Sequence, residues 1–260
     1  MDHTGIQIEN STSDGSIFSP HPKENDLNQL PLVGKREVGG GSNVVMLVDL
    51  HSDGSAIFKP GKGEWCLEIQ ESCYKLYQRE RAAYLVNHAL KLGLVPPTVV
   101  RNVDGQAGSV QEFVPNTSSL YSVDRLDSLS EQLYLLAIFD YIIWNKDRGY
   151  KNTLVQNNRI VAIDNGLSFD EWWEYLISDN LKSYVYGRSV PSQLTENLRN
   201  FLENPSQQHF LRQALSELVP ARTINAMFAR MKQVSQLLSN KGRIERSDEN
   251  SFIYYPSSTL

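Results

Sequence analysis

The sequence predicts an α+β chain of two joined lobes, with a small antiparallel β-rich N-terminal lobe carrying one helix and a mainly helical C-terminal lobe. Three observations predict it. Its 260 residues exceed a minimal scaffold and fall short of a multi-domain assembly, so one large domain or two tightly joined lobes is expected. Short strand-like runs separated by turn residues crowd residues 44–114, around a single stretch with the 3.6-residue period of a helix. After Pro115-Asn116 the pattern turns helical. The expected division is a disordered polar tail over 1–30, an N-lobe over 31–115, a C-lobe over 116–240 and a loose tail over 241–260.

The tail is rich in Ser, Asn, Asp and Pro (Asn10, Ser11, Ser13, Asp14, Ser16, Pro20, Pro22), a composition that buries too little apolar surface to offset the entropy of ordering. An apolar run from Val44 to Leu50, the turn His51-Ser52-Asp53-Gly54 and a second run from Ser55 to Lys59 read as a β-hairpin. Just ahead, Gly39-Gly40-Gly41-Ser42 could lie close to a ligand and present N–H groups to phosphate oxygens, because glycine carries no Cβ. The same composition equally suits a plain flexible linker. From about Tyr74 to Leu92, Leu76, Ala83, Val86 and Leu90 share one helical face. Glu80 sits roughly 40° round from Leu76 and roughly 60° from Ala83 at about 100° per residue. A carboxylate at the edge of a buried face needs a cationic partner. Gly93 and Pro96-Pro97 stop the helix. Thr98 to Arg101 and Gly108 to Val114 read as strands around the turn residues Asn102, Asp104 and Gly105.

In the second half, Leu129 to Trp144 is apolar nearly all round, as a helix through the centre of a lobe would be. Strands Thr153 to Val155 and Ile160 to Ile163 flank the turn Asn157-Asn158 and deliver Asp164-Asn165-Gly166. Residues from about 170 to 238 are mostly helical in pattern, with apolar spacing at Ile224, Met227, Phe228, Met231 and Leu237.

Twenty-five Lys and Arg against 30 Asp and Glu give a net charge of −5, which argues against nucleic acid as a partner, since that binding is driven by basic charge. The longest apolar stretch, Leu133 to Trp144, contains Asp140 and is too short to span a bilayer, so no transmembrane segment is expected. No charged-then-apolar leader opens the chain, and the default setting is the cytoplasm; a secreted effector acting in a host cytosol fits as well. Cys66 and Cys73 imply no disulfide framework. The five histidines, His3, His21, His51, His88 and His209, lack metal-ligand spacing. A monomer is expected.

The most informative segment runs from Asn145 to Phe169. Phosphoryl transfer from ATP needs few parts: a Lys on the phosphates, a Glu to orient it, a carboxylate near the incoming hydroxyl, and an Asn and an Asp to hold magnesium. Asp147 and Asn152 have D-x-x-x-x-N spacing, Asp164 follows a hairpin that returns the chain to the same cleft, and Lys59 ends a strand opposite the helix bearing Glu80.

These residues sit in segments that resemble the kinase-like superfamily outside the ordinary protein kinases, most closely the phosphatidylinositol 3- and 4-kinase branch and its bacterial relatives. The segments are Ala56-Ile57-Phe58-Lys59-Pro60, Arg79 to Leu85, Val95-Pro96-Pro97-Thr98, Ser109 to Val114, Asp147-Arg148-x-x-x-Asn152 and Ile163-Asp164-Asn165-Gly166. In order and spacing they look like the type II phosphatidylinositol 4-kinases; Asp-Asn-Gly is also similar to secretory-pathway kinases, and HipA-like bacterial kinases share the layout. The resemblance covers roughly residues 33 to 170 and implies a bilobal protein-kinase-like fold with ATP between the lobes. It implies that Lys59 contacts the α- and β-phosphates and pairs with Glu80, and that Gly40, Gly41 and Ser42 belong to a phosphate loop. Gln111, Glu112, Phe113 and Val114 would form the hinge that offers backbone groups to adenine. Asp147 would orient or deprotonate the acceptor hydroxyl, and Asn152 and Asp164 would bind Mg²⁺ or Mn²⁺. Gly149 stands where many lipid kinases of this kind carry a His after Asp-Arg, and Asn165 where the usual residue is His. The acceptor is therefore open between a protein Ser/Thr, slightly preferred because the chain is acidic and lacks a polybasic surface, and an inositol lipid.

Plainer readings stand beside these. Asp147 and Asn152 also suit loop capping, Asp164 suits a turn, and Asp140 reads as a structural brace of the catalytic loop. Trp172, Trp173 and Tyr175 read first as core, with a substrate-facing or membrane-facing role as the rival; Tyr150 and Lys151 are candidates to touch substrate. A pseudokinase acting as a binding module and an enzyme transferring AMP are the competing functions.

Overall fold

A computed structural model describes residues 19–38, 43–51, 54–62, 64, 75–124, 126–169, 179–246 and 248. The N-terminal lobe is a five-stranded antiparallel sheet of β1 (Leu32–Glu37), β2 (Met46–Leu50), β3 (Gly54–Pro60), β4 (Thr98–Val103) and β5 (Gln106–Glu112), in the order β1-β2-β3-β5-β4. Alternation along β3 buries Ala56, Phe58 and Pro60, which turns Ile57 and Lys59 to the other face. Ala56 and Phe58 join Val48, Leu50, Val99, Val103 and Val110 in the core of the sheet. Helix α1 (Pro22–Gln29) adds Leu27 to that core, and α2 (Leu76–Ala89) packs against β4 and β5.

The C-terminal lobe is built around α3 (Ser130–Ile143), in which Leu133, Leu136, Ala137, Ile138, Phe139, Ile142 and Ile143 are fully buried. This is the environment that an all-round apolar helix demands. A small sheet of β6 (Ser118–Ser119), β7 (Thr153–Gln156) and β8 (Arg159–Ala162) lies beside it. Asn157 and Asn158 take the left-handed conformation, with φ of 49° and 60°, which closes the two-residue hairpin between β7 and β8. Helices α4 (Asp179–Lys182), α5 (Ser192–Leu202), α6 (Pro205–Ser216) and α7 (Ala221–Lys241) complete the lobe.

Two expectations change. Part of the expected tail is the helix α1: His21 caps it, Leu27 is buried in the sheet core, and the buried Glu24 finds partners on α2. Composition alone misses a short polar helix anchored by tertiary contacts. In the segment expected to be a loose C-terminal tail, Ile244 is buried and bridges Tyr186, and Lys241 pairs with Asp248. Gly40, Gly41, Ser42, Trp172, Trp173, Tyr175, Cys66, Cys73, and Ser52 and Asp53 of the first hairpin turn lie outside the described residues.

Candidate active site

Lys59 is the penultimate residue of β3, on the face opposite Phe58, and Glu80 lies on the first turns of α2. The two meet: Lys59 Nζ is 2.5 Å from Glu80 Oε1 and 2.8 Å from Asp164 Oδ1. Glu80 is 3% exposed, so an unpaired carboxylate there would be costly. Its second oxygen accepts the backbone N–H of Asn165 at 3.0 Å, which fixes the loop after β8 against α2. Burial disfavours the Lys59 ammonium, but the adjacent charges of Glu80 and Asp164 outweigh it and hold this lysine above its usual range. Gly166 permits the close approach, since a Cβ there would stand 3.2 Å from Leu76 Cβ on the first turn of α2.

The second half of the site comes from the end of α3. Trp144 takes a left-handed conformation, φ 59°, and stops the helix. The loop that follows is organised by Arg148, which is 5% exposed. Its Nε and Nη2 donate to both oxygens of Asp140 at 2.9 and 3.1 Å. Nη1 donates to the carbonyls of Asn152 at 2.6 Å and Ile163 at 2.9 Å, and Nη2 also reaches Asn165 Oδ1 at 2.5 Å. One guanidinium therefore joins α3, the Asp147 loop and the Asp164 loop. The brace expected of Asp140 takes this form; burial pushes its carboxyl up against the pull of Arg148. Asn145 adds a second tie, its Nδ2 donating to Asp140 Oδ1 at 3.2 Å and its Oδ1 accepting the Asp147 N–H at 3.0 Å.

Asp147 is left exposed at the surface of this scaffold, with Asn152 Nδ2 donating to its Oδ2 at 3.1 Å and to its carbonyl at 2.8 Å. Partial burial, then the nearby negative charge of Asp164, raise the Asp147 carboxyl above its ordinary range. Glu80 pairs with Lys59 and Asp140 with Arg148, so Asp147 and Asp164 supply a surplus of negative charge facing solvent. Among the described residues no cluster of three or more His, Cys, Asp or Glu could hold a metal by itself. A phosphate-bound divalent ion needs fewer protein ligands, one or two carboxylates beside hard oxygens from substrate and water. The Asp164 carboxylate and the Asn152 amide are of that chemistry.

At the expected hinge, residues 111–114, three groups have partners within the protein. Gln111 is buried and its side chain donates to Thr98 Oγ1 at 2.8 Å, a contact inside the lobe. The N–H groups of Glu112 and Phe113 are used by the carbonyls of Pro97 at 2.8 Å and Ser55 at 3.0 Å. Both amides are thus engaged within the lobe, and Phe113 offers a side chain 37% exposed. Sequence reasoning also passed over Arg148 as an organiser and Glu64, whose carboxylate caps α2 by accepting the N–H groups of Leu76 and Tyr77 at 2.9 and 2.8 Å. The signal for Arg148 was present, since Asp140 in an apolar helix demands a cation nearby.

The model of the phosphatidylinositol 3- and 4-kinase family matches residues 72–237, more than half of the chain. The chain belongs to that family. It is a kinase of the atypical kinase-like superfamily, with the bilobal α+β fold of that group. A structure of the Golgi casein kinase with Mn/ADP bound shares 15% identity over 91% of this chain and 80% of its own, at a TM-score of 0.58. The structure of hydra Fam20 with sugar shares 14% identity over 86% of this chain and 91% of its own, at 0.59. The Helicobacter pylori proinflammatory kinase CtkA shares 11% identity over 85% of this chain and 99% of its own, at 0.53. At such identities the likeness carries the fold. No curated protein matches the chain, and among the described residues no helix is long and apolar enough to cross a membrane.

Proposed function

We propose that this kinase moves the γ-phosphate of ATP to a hydroxyl, with a protein Ser or Thr as acceptor and with Mg²⁺ as the assisting cation. The observation that carries the reading is the meeting of Lys59 with both Glu80 and Asp164, residues 21 and 105 positions away in the chain. Lys59, kept protonated by its two carboxylate neighbours, is suited to hold the α- and β-phosphates. Glu80 orients it. Asp147 has the raised basicity and the exposure of a group that accepts or aligns the acceptor proton, and Asn152 holds it in place. Asp164 and Asn152 would hold the divalent ion, which when bound neutralises charge on the phosphates. The Arg148 hub keeps the Asp147 and Asp164 loops in one geometry, which matters because phosphoryl transfer depends chiefly on positioning.

A protein acceptor is supported by the net charge of −5, which disfavours residence on an anionic membrane. An inositol-lipid acceptor is the second reading, favoured by the family description itself. Incubation with γ-labelled ATP, offered dephosphorylated casein in one reaction and phosphatidylinositol vesicles in another, separates the two. Asp147→Asn should lower transfer by about 10²–10⁴ with the melting curve nearly unchanged. Full transfer by that variant would contradict the role of Asp147, and label confined to lipid would replace the protein reading with the lipid one.

A further inference from the structure

The helix that carries Glu80 is also held by an element from the start of the described chain. Glu24, on α1, is 5% exposed and accepts hydrogen bonds from Tyr84 Oη at 2.7 Å, from Arg81 Nη1 at 2.7 Å and from the His21 N–H at 3.1 Å. Two of these donors belong to α2, and Arg81 directly follows Glu80. Arg81 Nη1 also donates to the Thr98 carbonyl at 2.5 Å, and its guanidinium lies 5.2 Å from the centre of the Tyr84 ring. α1 is itself fastened to β4, because Arg101 Nη1 donates to the carbonyls of Leu27 at 2.8 Å and Leu30 at 3.0 Å. The N-cap residue of α2, Lys75, supplies no side-chain cap of its own. Besides its apolar packing, α2 is thus held by two carboxylates from outside it, Glu64 at its first turn and Glu24 beside its second.

On a helical wheel Arg81 lies about 100° and Tyr84 about 40° from Glu80. Anchoring both resists rotation of α2 about its own axis. A rotation of about 30°, at a side-chain radius of about 5–6 Å, would carry the Glu80 carboxylate some 3 Å, enough to break its 2.5 Å contact with Lys59. We infer that Glu24 is a positioning residue for phosphoryl transfer: through Arg81 and Tyr84 it fixes the rotation of α2 and so keeps Glu80 on Lys59. This inference rests on the phosphotransfer reading above. It also gives the segment before the sheet, which lies outside residues 72–237 matched by the family, a part in the activity.

The test uses the full chain with Mg-ATP and with both casein and phosphatidylinositol vesicles as acceptors. Glu24→Gln keeps the size of the side chain and removes the charge facing Arg81; Tyr84→Phe removes one donor and leaves the fold its ring. The expected result is a fall in kcat of about tenfold for Glu24→Gln and a smaller fall for Tyr84→Phe, with KM for ATP within about twofold of wild type. Amide exchange in α2 should quicken at least about tenfold while β4 and β5 keep their protection. A kcat within about twofold of wild type in both variants would overturn the inference while leaving the phosphotransfer reading intact. Exchange that quickens evenly over α2, β4 and β5 would overturn it as well, since it marks a general loss of stability. A wild-type chain that transfers no phosphate to either acceptor removes the inference together with the reading beneath it.

Discussion

Asp140 and Arg148 show how much of the loop that carries Asp147 is set by side chains buried beneath it. Both side chains are 1% exposed, and the guanidinium holds the carboxylate through two nitrogens. Asp140→Ala would leave that cation buried with carbonyl and amide partners alone. Breaking a buried pair from one side typically costs about 3–5 kcal/mol, which chemical denaturation should register as a lowered midpoint at unchanged slope. A loss below about 1 kcal/mol would contradict the bracing role. That Lys59, Glu80 and Asp164 meet, and that Asn152 lies beside Asp147, was legible in the sequence from residue types and their intervals. The hinge was less legible. Whether the amides of Glu112 and Phe113 are open depends on what flanks β5 on both sides, and the carbonyls of Pro97 and Ser55 come from distant segments.

Among the elements, α2 and α3 could be read from periodicity because each buries a continuous apolar face. Strand β1 could not, since it is an edge strand whose residues are mostly exposed and include Lys35, Arg36 and Glu37. Helix α1 was hidden for another reason: its stability comes from Leu27 and Glu24 meeting the sheet and α2, which no local pattern records. That docking has a pH signature. Burial works to raise the Glu24 carboxyl, but the Arg81 charge and the hydrogen bonds from Tyr84, Arg81 and His21 together hold it below the ordinary 4.5. A depressed carboxyl contributes stability that is present above the unfolded value and lost as pH falls through the folded one. Asp140, Asp147 and Glu64 are shifted upward and act with the opposite sign, so the comparison must be between variants. Below about pH 4.5, the stability of wild type should fall more steeply than that of Glu24→Gln when unfolding is followed by circular dichroism. Equal slopes would show that Glu24 gains nothing from its partners.

At the scale of the whole molecule, the core explains why residues so far apart in the chain converge. Ala82, Ala83, Tyr84, Leu85 and Val86 of α2 share one continuous apolar cluster with α3, α5 and α7. The helix that positions Glu80 and the helix that launches the Asp147 loop are therefore packed into the same interior. The two-lobed outline was legible from the change of pattern near residue 115. The sharing of a core was not, because periodicity tells which face is buried and not against what. Thermal unfolding tests the central claim, a single cleft that joins Lys59 and Asp164 around a metal-bound nucleotide. Wild type, Lys59→Met and Asp164→Asn are each compared without ligand, with ATP plus Mg²⁺ and with ATP plus a chelator. At a hundredfold excess over Kd, binding adds about 2.7 kcal/mol, or about 5–10 °C in Tm for a chain of this size. That shift is expected for wild type with Mg²⁺, with its loss on chelation and its absence in both variants; equal shifts in all three proteins, with or without the ion, would rule out a shared nucleotide cleft.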